Sequence, residues 1–334
     1  MRTWQRREVT RLGLQIPAFV GSTPASLFGT VSELAITAEA VGFDSLWVMD
    51  HLHQIGYVGA PTDPMLEAYT LLGALSQKTA TMRLGAMVTG VTYRNPALLA
   101  KAVTTLDVVS AGRAVLGIGA AWNQEEHAAY GFDFPSDAER LERLEEAVLI
   151  ARSMFDAPVS FFEGRHYRIE GAINNPRPAQ ERIPVLIGGS GERVTLRLVA
   201  SHADACNLFG DLATIRRKLA VLDRHCEEVG RDPESVWRTR LGSLLVAETE
   251  SEARSKAQSL AAARGMDQAS LDAMVLWGDP EMIRYKAAEF IDAGLDGLVF
   301  NMALAGDVNQ VRMAGEALAP LFGGTTLSGG EMLS

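Results

Sequence analysis

Eight short apolar runs recur along the chain, and most of them end in residues that suit a binding site better than a simple turn. They are LGLQIP (12–17), SLWVMDH (45–51), RLGAMVTG (83–90), RAVLGIGA (113–120), IPVLIGGSG (183–191), ADACNLFG (203–210), RLGSLLVA (240–247) and DGLVFNMA (296–303). Each has the length and bounding residues of a β-strand, and helical periodicity fills most of the gaps between them. Eight such units in 334 residues predict an α/β fold of the (β/α)8 TIM-barrel type, whose chemistry sits at the C-terminal ends of the strands. Asp50-His51, Val88-Thr89, Asn123 and Gly188–Gly191 then share one rim.

The connecting segments carry helix signals. VSELAITAEAVGF (31–43) and MLEAYTLLGALSQKTA (65–80) follow the first two strands, the second after a Gly- and Pro-containing loop at 52–64. Asn95-Pro96 opens PALLAKAVTTLDVVS, with an amide at the N-cap and proline in the first turn. Ser136 precedes AERLERLEEAVLIARSMF, rich in Glu/Arg pairs at helical spacing. Two stretches break the rhythm. Residues 156–182 read as a hairpin with a Pro-containing loop, and 250–278 as two successive helices where a strand is due. Both are expected above the rim as lids or substrate walls. No composition shift divides the chain, so 1–334 reads as one barrel domain with its core at 11–322.

Composition narrows the function classes. The apolar runs are too short to cross a bilayer, and no apolar signal region follows the basic N-terminus. Two cysteines, Cys206 and Cys226, do not make a disulfide framework, which fits a reducing cytoplasm. A net charge of −10 argues against nucleic acid as a partner and leaves a small molecule.

Four elements could carry chemistry. His51, beside Asp50 at a strand end, can act as acid or base near neutral pH or simply cap a loop. With His53 it also forms H-x-H, but later strands end without further His or Asp ligands, so no metal is expected. Gly188, Gly189, Ser190 and Gly191 precede a helix expected to begin near Gly191. Its free N–H groups, the Ser190 hydroxyl and the Arg193 charge would suit a phosphate; the alternative is a Gly-rich turn with no ligand. GIGAAWNQEEH (117–127) starts like a dinucleotide fingerprint, but Trp122 stands at the third glycine, so Trp122 and Asn123 read instead as facing a planar ligand. Thr89-Gly90 permits a bulge and close approach to a flat ring.

Taken together, FDSLWVMDH (43–51), MVTGVTYRNPALLAKAVTTLDVVSAGRAVLGIGAAWNQEEH (87–127) and IPVLIGGSGERVTLRLVASHADACN (183–207) resemble the luciferase-like flavin and deazaflavin oxidoreductases, within them the branch that uses coenzyme F420. The resemblance is close over 11–230 and continues beyond as fold rhythm. It implies a barrel with the cofactor ring at the strand C-termini, Asp50 and His51 beside it and Asn123 at its polar edge. Met87, Val88 and Thr89 would back the ring, with a non-prolyl cis peptide there in many relatives, and Gly188–Gly191 would hold the phosphate. The implied reaction is hydride transfer between F420 and a small organic substrate, with His51 as proton donor, acceptor or electrophilic contact. Two alternatives accompany it: a monooxygenase using reduced FMN from a separate reductase, and a non-catalytic flavin-binding barrel. A homodimer is expected by analogy. Relatives often have glycine where this chain has Ala121, and no motif in the substrate-facing loops names the substrate.

Overall fold

In the computed structural model, residues 8–21 and 23–323 are described. The elements run β1 (Leu12–Ile16), α1 (Pro24–Ala40), β2 (Ser45–Val48), α2 (Ala68–Leu75), β3 (Arg83–Ala86), β4 (Thr89–Gly90), α3 (Pro96–Val109), β5 (Leu116–Gly119), α4 (Gln124–Tyr130) and α5 (Asp137–Asp156). Then come β6 (Val159–Glu163), β7 (Arg168–Ile173), β8 (Val185–Gly188), α6 (Thr195–His202), β9 (Ala205–Leu208), α7 (Leu212–Glu228) and β10 (Trp237–Val246). The chain continues through α8 (Glu250–Ala263), α9 (Gln268–Met274), β11 (Val275–Gly278), α10 (Pro280–Asp292), β12 (Gly297–Met302) and α11 (Val308–Leu318).

The main sheet is parallel, in the order β3-β2-β1-β12-β10-β9-β8-β5-β4. It closes on itself where the Leu84 N–H donates to Arg113 O and the Val115 N–H donates to Leu84 O. β3 and β4 are two halves of one barrel strand, so the eight predicted strands all stand. Alternation along each strand sorts the side chains. Leu12, Leu14, Leu46, Leu84, Leu116, Val185, Leu298 and Phe300 face the helices in the main apolar cluster. Trp47, Val115, Leu186, Trp237 and Val299 form a separate cluster inside the barrel. Trp47 fills the centre only because its neighbours are glycines: a Cβ on Gly85 would lie 2.7 Å from the indole, and one on Gly13 2.9 Å from its Nε1. Trp237 Nε1–H donates to Thr10 O, so the N-terminal end of the barrel is plugged and open space is left at the other end.

α3 and α5 start where their caps indicate: Asn95 Oδ1 accepts from the Ala97 N–H and Ser136 Oγ from the Glu139 N–H. α1 starts seven residues before the expected VSELA segment. Thr23 and Ser26 form a reciprocal capping box with Pro24 in the first turn, a signal hidden inside what reads as a Gly/Ser/Pro loop.

Neither irregular stretch supplies a lining residue of the main cavity. Residues 159–173 do form a hairpin, antiparallel β6 and β7. It follows a helix rather than a strand, so it enters at the N-terminal end and runs along the outside of α5, where Glu146 accepts N–H bonds from Arg165, His166 and Tyr167. It is a brace on α5, which corrects the lid expectation. The region 250–278 holds the two expected helices and then β11, which pairs with the C-terminal half of β10 and extends the sheet at the rim. No helix among the described residues is long and apolar enough to cross a membrane.

Candidate active site

A cavity of about 440 Å3 opens at the C-terminal ends of the strands, within the range of small-molecule sites. His51, three residues beyond β2, lies on its wall. Its Nδ1 lies 2.7 Å from Glu126 Oε2. Glu126 is fully buried, reaches in from α4, and also accepts from the Leu52 N–H at 2.5 Å and from the Tyr93 hydroxyl. Burial pushes its carboxyl upward, but the bonds from His51, Tyr93 and Leu52 prevail and bring it down to about 2. Glu126 is therefore an anion at neutral pH, and the shared proton belongs on His51 Nδ1. In the neutral imidazole that leaves Nε2 with its lone pair free to accept. Sequence reading missed Glu126, which sits in the QEEH run but shows its role only once α4 folds over the end of β2.

Asp50 is buried and committed elsewhere. Arg94 bridges it to Glu67, with both contacts at 2.6 Å, and lies over the Tyr69 ring, whose hydroxyl meets Thr89 Oγ1 at 2.7 Å. Burial raises the Asp50 carboxyl to about 6 against the pull of Arg94. Its carboxylate ties the ends of β2 and β4 together, and of the expected catalytic pair only His51 keeps a free polar atom.

The opposite wall is a platform. The Met87–Val88 peptide is cis, and the Val88 side chain lies over the bare backbones of Gly119 and Gly188, where added Cβ atoms would come within 2.8 and 2.6 Å of it. Below runs a directed chain of hydrogen bonds: Ser243 Oγ to Asn301 Oδ1 (2.7 Å), Asn301 Nδ2 to Gln15 Oε1 (3.3 Å), and Gln15 Nε2 to Met87 O (3.0 Å). Asn207, also on the wall, accepts from Thr239 Oγ1 while its buried Nδ2 has no hydrogen-bond partner among the described residues.

The glycine loop holds one surprise. Gly188 and Gly189 line the cavity and Gly189 has φ +126°, but α6 begins at Thr195, four residues beyond Gly191. A turn intervenes, and it puts Arg193 on the exposed surface. The helix start carries Thr195 instead, its Oγ1 beside Gly191, and Lys218 from α7 reaches Ser190 O at 2.5 Å. These two residues, unread in the sequence, stand at the glycine loop where Arg193 was expected.

Residues 10–269 match the profile of the luciferase-like monooxygenase family. The chain belongs to that family. A relative from Nakamurella multipartita, an F420-dependent glucose-6-phosphate dehydrogenase, is 30% identical over 87% of this chain and 91% of its own length. Among solved structures, an F420-dependent secondary alcohol dehydrogenase in complex with an F420-acetone adduct superposes with a TM-score of 0.80 at 20% identity, over 93% of this chain and 98% of the other. EDTA monooxygenase from Chelativorans sp. also reaches a TM-score of 0.80, at 15% identity over 95% and 94% of the two chains. Membership makes the chain an enzyme and sets aside the non-catalytic binding barrel.

In this luciferase-like enzyme the 120–123 turn departs from expectation. Ala121 holds a left-handed backbone, φ +62°, the conformation that favours glycine. Trp122 does project over the cavity, 54% exposed, with its ring 5.5 Å from that of His51. Asn123 does not join it: its Oδ1 caps α4 by accepting from the Glu126 N–H, and it is off the cavity wall. What reads as a ligand contact is the cap that delivers Glu126. His53 turns away to stack on Tyr130, and no group of three His, Cys, Asp or Glu side chains among the described residues is placed to hold a metal ion.

Proposed function

We propose that this enzyme transfers a hydride between coenzyme F420 and a small organic substrate, with His51 handling the substrate's proton. The observation that carries the reading is the His51 ring on the cavity wall, fixed through Nδ1 by a buried anionic carboxylate. The relative named for F420, aligned over nearly its whole length, favours the deazaflavin over FMN.

The residues present fit such a cofactor. Val88, Gly119 and Gly188 offer a flat surface that a single Cβ would spoil, and the unpartnered Asn207 Nδ2 offers a donor to the carbonyl edge of a ring. Gly189, Ser190, Gly191, Thr195 and Lys218 would hold the phosphate. When bound, the deazaflavin supplies a two-electron hydride donor or acceptor. The protein orients and moves the proton: Nε2 of neutral His51 accepts it from a substrate hydroxyl, or returns it from the imidazolium to a forming alkoxide. Glu126 keeps the ring in the tautomer that leaves Nε2 available and stabilises the charged form, and Trp122 shields the reacting face from water.

The same cradle accommodates FMN, so the test is a parallel titration with F420 and FMN, each oxidised and reduced, followed by cofactor fluorescence. Selective F420 binding that Ser190→Ala weakens and that Lys218→Ala weakens about tenfold is the expected result. Selective binding of reduced FMN moves the enzyme to oxygen chemistry, and binding of neither defeats the cofactor reading.

A further inference from the structure

We infer that the substrate is an uncharged molecule with an apolar body and a single hydroxyl or carbonyl group, not a sugar phosphate; this rests on the hydride-transfer reading above. A sugar phosphate presents a dianion and several hydroxyls, and the cavity answers neither. Among the described residues no Lys or Arg lines it. Arg94 lies between Asp50 and Glu67, and Arg240, which is not a lining residue, donates from Nε to Gly210 O and lies over the Phe290 ring, with its buried Nη1 lacking a hydrogen-bond partner among the described residues. Lys218 stands at Ser190 on the phosphate-cradle side. Behind His51 at the reacting end stands the Glu126 anion, which repels a second anion.

Most of the polar wall residues are occupied, and the open Asn207 Nδ2 is the donor assigned above to the cofactor ring. Gln15 and Asn301 satisfy one another, Ser243 and Met87 O, and Thr89 is held by Tyr69. A polyol would bury hydroxyls without partners, and sites reject such groups strongly. The wall also includes Ile55, Val58, Trp122, Phe209 and Leu241, which match an apolar body. His51 Nε2 supplies the single polar anchor. Oxidation of such an alcohol breaks one C–H and one O–H bond: the hydride passes to the deazaflavin, the proton to His51, and the C–O bond becomes a carbonyl. Reduction of the ketone is the reverse.

The test separates substrate class from cofactor. Ligand-observed saturation-transfer NMR on the full chain, with and without F420, compares 2-decalone and acetophenone with glucose 6-phosphate. Turnover of 2-decalol and glucose 6-phosphate is then followed by F420 absorbance. The expected result is saturable binding of the ketones, none of glucose 6-phosphate, and a kcat/KM ratio of about 100-fold or more in favour of decalol. Val58→Lys, which puts a cation on the wall, narrows that ratio about tenfold, and Val58→Leu does not. Glucose 6-phosphate binding as well as the ketones, or no ketone binding, overturns the inference whatever F420 does. Ketone binding without F420 binding leaves it standing and removes the cofactor reading instead.

Discussion

At the scale of single residues, His51 and Glu126 divide one task. His51→Ala removes the group that handles the proton, and kcat should fall by about 100- to 10,000-fold while F420 affinity changes little. Glu126→Gln keeps the shape but not the charge, so the imidazole loses its fixed tautomer and kcat should fall by about 10- to 100-fold. A purely structural role for Glu126 would lower kcat without changing its pH profile; the positioning role moves the His51-dependent limb of that profile, which steady-state kinetics at several pH values will read. Ala121 offers a different check. Its left-handed backbone disfavours a Cβ, so Ala121→Gly should raise stability by about 0.5–1 kcal/mol in urea unfolding. A loss of stability there would show that the Ala121 methyl is held by contacts worth more than the backbone cost.

At the scale of elements, the platform and the brace make opposite predictions. Gly188→Ala drives a Cβ to within 2.6 Å of Val88 at the end of β8. Val88 must then move, which should cost about 1–3 kcal/mol and weaken cofactor binding, measured together by thermal melts with and without F420. Replacing the β6–β7 hairpin by a short linker removes the brace on α5 and no cavity residue. The melting temperature should fall by several degrees while cofactor affinity stays within about twofold. Affinity lost along with the hairpin would mean that α5 carries the brace's influence to the rim.

At the scale of the whole molecule, the two buried carboxyls pull the pH dependence of stability in opposite directions. Glu126 lies below its ordinary 4.5, at about 2, so its contribution is complete above 4.5 and is lost as pH falls toward 2. Asp50 lies above its ordinary 3.8, at about 6, so its contribution is complete below 3.8 and is lost as pH rises through 6. Chemical denaturation across pH 2–7 should therefore give a shallower acid limb in Glu126→Gln than in the parent protein. Asp50→Asn should flatten the profile between the two Asp50 values, at the cost of leaving Arg94 with Glu67 alone.

The barrel was legible in the sequence because strand period, bounding turns and helix caps are local signals: each βα unit states its own length and its buried face. The family segments likewise placed His51, Val88 and Gly188 on one rim, where they stand. Partnership was not legible. Glu126 lies 75 positions from His51, and nothing local tells a cap residue such as Asn123 from a ligand contact. The delayed start of α6 exchanged Arg193 for Thr195 and Lys218, and the side of the barrel on which the hairpin lands depended on entry after a helix rather than a strand. Sequence by itself determined which elements form and which rim holds the chemistry, since these follow from short-range propensity and periodicity. The tertiary structure alone decided which charges meet, which are spent, and that no Lys or Arg among the described residues lines the cavity, because burial and pairing arise only when distant segments close on one another.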